Sequence, residues 1–458
     1  MGYGTAQLAG PRKHQSQPGS SWSGWGPVFP VLLVCVTLLL GPAAVVSVAG
    51  RAPNVWWVDL AVLALGTLAV IRSSLRFAVG RPPFPPSLWF YIAFLVIATI
   101  SVAWAKDILV TAVAWKVRVM PLLVFLIVYQ AVRGLESAKR VSKIIGLTGI
   151  GVALLTLLNW NDIAAGGTAT YKSLVTSSKD FAQTSFGTSN YIATILVFCL
   201  PWCAVPLFRS RILNHVFTIA AISIMSWGLL LTQSRGAFLS VLVAAVLFAV
   251  QAVYSRLGFR RLMPIVTGSL VVAGAAYGSW LVAPPKVASE LSARFDRMIL
   301  DVNGGLWASN RTATWEPAVK GILSDPVLGI GLGNQGVLAD RMGMQGGSAH
   351  NVVLEAALEL GIGGTVPLAV FLVLCWRQWY RVMSSRSPET GRIGLIGMFS
   401  FQASVVHCLV EPSFWGPQFA YLFWGALGVA FALDRPQAAP SSVPRTSGWV
   451  LARARARV

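Results

Sequence analysis

Apolar runs of about 20 residues recur along almost the whole chain, and short polar loops rich in arginine separate them. A run of that length is what an α-helix needs to cross the hydrocarbon core of a bilayer, where every backbone N–H and C=O must be paired within the segment. The pattern predicts twelve spans, at 28–49, 55–72, 87–105, 108–131, 141–160, 188–208, 212–232, 235–254, 262–283, 350–378, 392–411 and 415–434. The expected fold is an all-α polytopic membrane protein with a large outer loop between helices nine and ten. Its parts are a tail at 1–27, spans one to nine at 28–283, the loop at 284–349, spans ten to twelve at 350–434 and a tail at 435–458. The fourth span is interrupted by Lys116 and Arg118. A second polar stretch, 161–187, is also long enough to fold over the bundle. Within the large loop, Thr314 to Ser324 reads as a short amphipathic helix with Trp315, Val319, Ile322 and Leu323 on one face, suited to lying at the membrane surface.

Composition agrees: of 458 residues, 55% are hydrophobic and only 11% charged, which excludes a set of soluble domains. A net charge of +20 would suggest a nucleic-acid partner in a soluble protein. Here the basic residues concentrate in alternate short loops, and topology explains them without any nucleic acid. With the N-terminus inside, the cytoplasmic segments carry 23 lysines and arginines, against 5 in the short outer loops. Both termini are therefore expected in the cytoplasm and loop 284–349 outside. The first apolar run is too long for a signal peptide and lacks a clear cleavage site, so a retained span is expected. All five cysteines lie in apolar runs; Cys199 and Cys203 are one helical turn apart, with no histidine or carboxylate to complete a metal site.

Candidate chemistry gathers between Gly329 and Gly364, where the polar loop turns through Ser348-Ala349-His350-Asn351 into an apolar helix. His350 is the histidine that sequence places at such a junction. The positive end of the helix dipole there favours neutral imidazole, which can act as a general base. Asn351 can cap the helix or hold a sugar hydroxyl. Glu355 and Glu359 follow at four-residue steps on one face, either as site carboxylates or as partners of Lys116, Arg118 or Arg235. Arg235 sits in Thr232-Gln233-Ser234-Arg235-Gly236, so tight an outer turn that its charge needs water, a partner or an anionic ligand; the alternative is a side chain snorkelling to the interface. Arg311, four residues before Trp315, reads first as a solvated loop charge. His407 and Glu411, one turn apart, read as packing or a bundle salt bridge. No outer loop carries an Asp-x-Asp pair for a metal-bound nucleotide sugar, no Walker motif is present, and Gly329-x-Gly331-x-Gly333 follows no strand.

Three stretches carry a family resemblance: LTQSRGAFLS at 231–240, RTATWEPAVKGILSDPVLGIGLGN at 311–334 and AHNVVLEAALELGIGG at 349–364, with GTSNYIA at 187–193 as a weaker fourth. In that order, with a long outer loop between spans nine and ten, the chain resembles the O-antigen ligase and O-antigen polymerase superfamily of bacterial membrane glycosyltransferases. The resemblance covers roughly residues 185–370 and nothing in the N-terminal half. It implies a multi-pass enzyme of the bacterial inner membrane with an outward-facing active site. Such an enzyme takes glycan from an undecaprenyl-diphosphate carrier and transfers it to lipid A core or to another glycan. By motif, Arg235 and Arg311 take the place of the family's diphosphate-binding arginines, and His350 that of its essential histidine. Ser234, Asn351, Trp315 and Glu355 stand beside them as expected substrate-binding residues. The residues fit this chemistry without a metal or cofactor. A diphosphate leaving group needs charge stabilisation, which two guanidinium groups supply, and the acceptor hydroxyl needs a base. Direct displacement at the anomeric carbon inverts its configuration. The competing reading is a glycan transporter or lipid flippase, marked by charged residues along an internal path and by broken helices near the midplane.

Overall fold

The structure is a computed structural model that describes residues 28–39, 44–46, 55–78, 84–166, 189–208, 211–232, 234–254, 289, 292, 311–342 and 348–435. Apart from one short antiparallel pair, β1 (Ala44–Val46) and β2 (Val55–Trp56), the described chain is helical. The helices are α1 (Phe29–Leu39), α2 (Trp57–Ala78), α3 (Leu88–Ile100), α4 (Ile108–Ala131), α5 (Leu135–Gly166), α6 (Ser189–Cys199), α7 (Ile212–Thr232) and α8 (Arg235–Tyr254), followed by α9 (Arg311–Ser324), α10 (Gln335–Met342), α11 (Val352–Met383), α12 (Pro388–Cys408) and α13 (Pro417–Leu433). Five of them are long and apolar enough to cross a membrane, in α2, α4, α5, α7 and α11, and four shorter apolar helices accompany them. The ninth expected span, 262–283, lies outside the described residues, as do 284–288, 290–291, 293–310 and 343–347 of the expected outer loop. So does most of 161–187.

Packing follows the apolar pattern. Helix α13 lies against α4, α2 against α4, and α11 between α3 and α12. Their contact surfaces bury Trp379 and Trp424 with Tyr91, Phe94 and Phe371, and Trp202, following α6, packs against Trp379. Outward, α2 leaves Leu63, Leu68, Ile71 and Leu75 exposed, an apolar face that a bilayer covers.

Helix α4 keeps the expected bounds because both of its charges are paired. Lys116 Nζ lies 2.8 Å from Asp59 Oδ2, and Arg118 Nη2 lies 3.0 Å from Glu359 Oε2, the latter pair buried. Two expectations need correction. The first span does not run unbroken over 28–49: α1 ends at Leu39, ahead of Gly41-Pro42, and Ala44 already belongs to a strand. Proline has no N–H to continue a helix and pushes the preceding residue out of the helical region.

The tenth span is broken. Gly361 stands at φ 59° and ψ −160°, so α11 consists of a short leading helix over 352–360 and a longer one over 362–383. The break is held by the Gly-rich loop before α10. Ile330 and Gly331 N–H donate to the carbonyls of Leu358 and Glu359 at 3.0 and 2.9 Å, and Ile362 N–H donates to Pro326 O at 2.8 Å. This close approach demands glycine. Gly331 has φ +91°, and a Cβ there would stand 2.9 Å from Ala105 Cα; one on Gly361 would stand 2.3 Å from Val327 O. Asn334 locks the other side of the loop, accepting from Asp107 N–H at 2.9 Å and donating to Thr111 Oγ1 at 2.9 Å. The loop is thereby wedged between the start of α4 and the leading helix of α11.

Candidate active site

The leading helix of α11 begins as its sequence demands. Asn351 is its N-cap, and Oδ1 accepts from Val353 and Leu354 N–H at 2.9 and 3.2 Å. Of the two uses open to Asn351 in the sequence, capping is the one seen. His350 precedes it at φ 50°, the one non-glycine residue with positive φ among the described residues. That conformation is sparsely populated by L-residues other than Asn, Asp and His, and such residues persist where their surroundings fix them. Here Ser348 Oγ accepts from His350 N–H at 3.0 Å, and the Ser348 hydroxyl in turn donates to the buried carboxylate of Glu355. The imidazole stays about a third exposed, at 30%, with Nδ1 4.0 Å from Glu411 Oε1.

Glu411 is nearly buried and follows the C-terminus of α12. Its other oxygen accepts from Asn190 Nδ2 at 3.0 Å. One turn further into each helix the pairing repeats: His407 Nδ1 lies 2.7 Å from Thr194 Oγ1, which lies 2.9 Å from Ser413 Oγ. Asn190 and Thr194 share one face of α6, and His407 and Glu411 one side of the end of α12, so the two i,i+4 pairs mate across the helix contact. The second nitrogen of His407, Nε2, lies 3.4 Å from Ser234 Oγ in the turn that carries Arg235. Gly236 lets that turn close in, since a Cβ there would stand 2.8 Å from Val410 Cγ2 and 3.4 Å from the His407 ring. Two polar groups thus stand side by side at the end of α12, Ser234, His407, Thr194 and Ser413 in one and Asn190, Glu411 and His350 in the other, with Thr194 Oγ1 3.0 Å from Asn190 O between them.

The remaining expected residues fall as follows. Ser234 is buried, and its oxygens accept from Ala237 N–H at the start of α8. Arg235 is exposed and is the first residue of α8, next to Ser234 in this cluster. Arg311 opens α9, but its side chain lies outside the described residues. Trp315 is half-buried on α9. That helix rests on the leading segment of α11 through Ala318 and Ile322, with Ala318 packed against Ala349 and Leu358. Val319 and Leu323 point outward at 42% and 73% exposure, so the apolar face read in the sequence divides between protein and surroundings. Glu359 does not join His350: it belongs to Arg118, whose guanidinium also covers the Trp415 ring at 4.5 Å. Cys199 and Cys203 are buried packing residues, with Cys203 Sγ 3.3 Å from Met225 Sδ. Among the described residues no group of three His, Cys, Asp or Glu side chains converges on a metal-sized site.

Sequence reading singled out His407 and Glu411 as packing or a bundle salt bridge but did not bring Asn190, Thr194 and Ser413 to them. A signal existed in the four-residue spacing of Asn190–Thr194 and His407–Glu411 at the ends of two apolar runs. A second histidine therefore stands at the same end of the bundle as His350.

No curated protein matches the chain. The family model described as O-antigen ligase matches residues 220–386, from within α7 to the turn after α11, and so includes Arg235, Arg311 and His350. That match shows the resemblance of the chain to the O-antigen ligase and O-antigen polymerase superfamily of membrane glycosyltransferases.

Proposed function

We propose that the chain transfers glycan from an undecaprenyl-diphosphate carrier to an acceptor hydroxyl at the outer face of the cytoplasmic membrane. The observation that carries this reading is the His350–Glu411–Asn190 line, set beside the turn that bears Arg235. In the proposed reaction His350 removes the proton from the acceptor hydroxyl as its oxygen attacks the anomeric carbon. The bond from that carbon to the diphosphate oxygen breaks on the opposite face, and the configuration inverts. The diphosphate leaves with its electron pair, stabilised by the guanidinium groups of Arg235 and Arg311, so no metal is required. Glu411, held by Asn190, orients the imidazole and stabilises the imidazolium that the proton transfer creates, as carboxylates do in other histidine-based sites. Lipid A core is the acceptor expected of a ligase and a second lipid-linked glycan that of a polymerase.

The break at Gly361 bears on the transporter reading, since broken helices line many transport sites. Here the freed backbone groups are taken up by Pro326, Ile330 and Gly331 rather than left lining a path, which favours an enzyme with a rigid outer site. The test uses purified protein in liposomes with labelled undecaprenyl-diphosphate glycan. Glycan recovered on an acceptor supports the proposal. Labelled lipid moved between leaflets with its diphosphate bond intact supports the transporter.

A further inference from the structure

At the end of the bundle away from His350, a groove of about 420 Å³ opens between α2 and α4, beside α1. These two helices run in parallel. Lys116 pairs with Asp59 near their starts, and Gln130 Nε2 donates to Ala69 O at 2.6 Å and Ser73 Oγ at 2.8 Å near their ends. Asp107, at the start of α4, is held by Asn334 on the side of the candidate site. Arg133 lies just beyond the other end of that 24-residue helix, roughly 36 Å away. The groove therefore sits in the opposite membrane leaflet.

Its walls are Leu65, Leu68 and Ile127, its floor the buried Gln130, and its rim Arg72 and Arg133. Both arginines are exposed, and neither forms an ion pair among the described residues. The carboxylate nearest Arg133 in sequence, Glu136, pairs with Lys139 at 2.8 Å. Two cations over an apolar slot, open to the hydrocarbon along the exposed face of α2, match one ligand chemistry, a phosphate attached to an acyl chain.

We propose that Arg72 and Arg133 hold the phosphate of an anionic glycerophospholipid, whose acyl chain lies along Leu65, Leu68 and Ile127. This site is independent of the transfer reaction. A guanidinium pairs with phosphate oxygens two at a time, so the site discriminates by headgroup charge, and Gln130 keeps its walls in register.

The test is native mass spectrometry of the full-length protein in detergent, titrated with dioleoyl phosphatidylglycerol or dioleoyl phosphatidylcholine. The wild type should bind one phosphatidylglycerol in preference to phosphatidylcholine. At about fivefold per arginine, Arg72→Gln with Arg133→Gln should weaken phosphatidylglycerol binding on the order of thirtyfold and leave phosphatidylcholine unaffected. Arg377→Gln, which removes an arginine outside the groove, should leave both unchanged. Leu68→Trp fills the slot with both charges in place and should also abolish the preference. Undiminished preference in the double variant overturns the proposal, as does an equal loss in Arg377→Gln, which would reduce the effect to general surface charge. Undiminished binding in Leu68→Trp overturns the groove as the acyl seat.

Discussion

Replacing Glu411 with glutamine removes a charge beside His350 while keeping the side chain's size and an oxygen for Asn190 to donate to. If His350 becomes imidazolium in the transition state, the carboxylate 4.0 Å away stabilises it. Two unit charges at that separation interact by about 4 kcal/mol at the effective dielectric of a protein surface region. The imidazole is 30% exposed, so water screens part of this. A remaining effect of roughly 1.4–2.8 kcal/mol corresponds to a tenfold to hundredfold fall in kcat. Donor binding rests on the arginines, so KM for the lipid-linked glycan should change little. Glu411→Ala should lose more, because it also strips the Asn190 amide of its acceptor. The assay is steady-state transfer of labelled glycan at matched protein levels, with kcat and KM separated. A near-native kcat in Glu411→Gln would refute the charge stabilisation of a His350 imidazolium by Glu411.

Arg235→Lys separates a diphosphate clamp from a snorkelling charge: loss of the planar fork should cost about 1.5–3 kcal/mol, or tenfold to a hundredfold in transfer rate, whereas an interfacial cation would tolerate lysine. Gly361→Ala should lower the melting temperature of the solubilised protein, since its backbone conformation, nearly exclusive to glycine, alone costs another residue about 1–3 kcal/mol and the new Cβ meets Val327 O at 2.3 Å; an unchanged melting temperature would mean that the break is not held as described. A reporter fused after Arg386, between α11 and α12, should face the cytoplasm, and activity from an outward-facing reporter there would reverse the sidedness assigned to the site.

The fold was most legible where one helix decides its own bounds. The apolar run 108–131 is a single helix end to end, and its two charges are paired as intramembrane charges must be. Legibility failed where a distant segment intervenes. Gly361 lies in an apolar run that reads as unbroken helix, and only the loop around Pro326 to Gly331, thirty-odd residues upstream, makes the break visible. The site divides in the same way. Asn351 capping the α11 helix is local and readable from the chain order, and the left-handed backbone of His350 is tolerated by its residue type. The His350–Glu411 and Thr194–His407 contacts join residues on different helices. Their four-residue spacing marked which faces carry polar groups, but not which faces meet. Glu355 and Glu359 show the same limit: they share a helix face, yet one takes a serine hydroxyl and the other an arginine from α4.

The central claim is that His350 is the base, and the direct measurement is the transfer rate of His350→Asn. Asparagine tolerates the left-handed backbone at this position, so the variant removes the imidazole while sparing the turn. With labelled undecaprenyl-diphosphate glycan and protein matched by in-membrane level and melting temperature, the rate should fall by about 10²–10⁴, the usual contribution of a positioned general base. Donor binding should persist through Arg235. A folded variant that turns over at near the wild-type rate would contradict the account and leave His350 a structural residue at the head of α11.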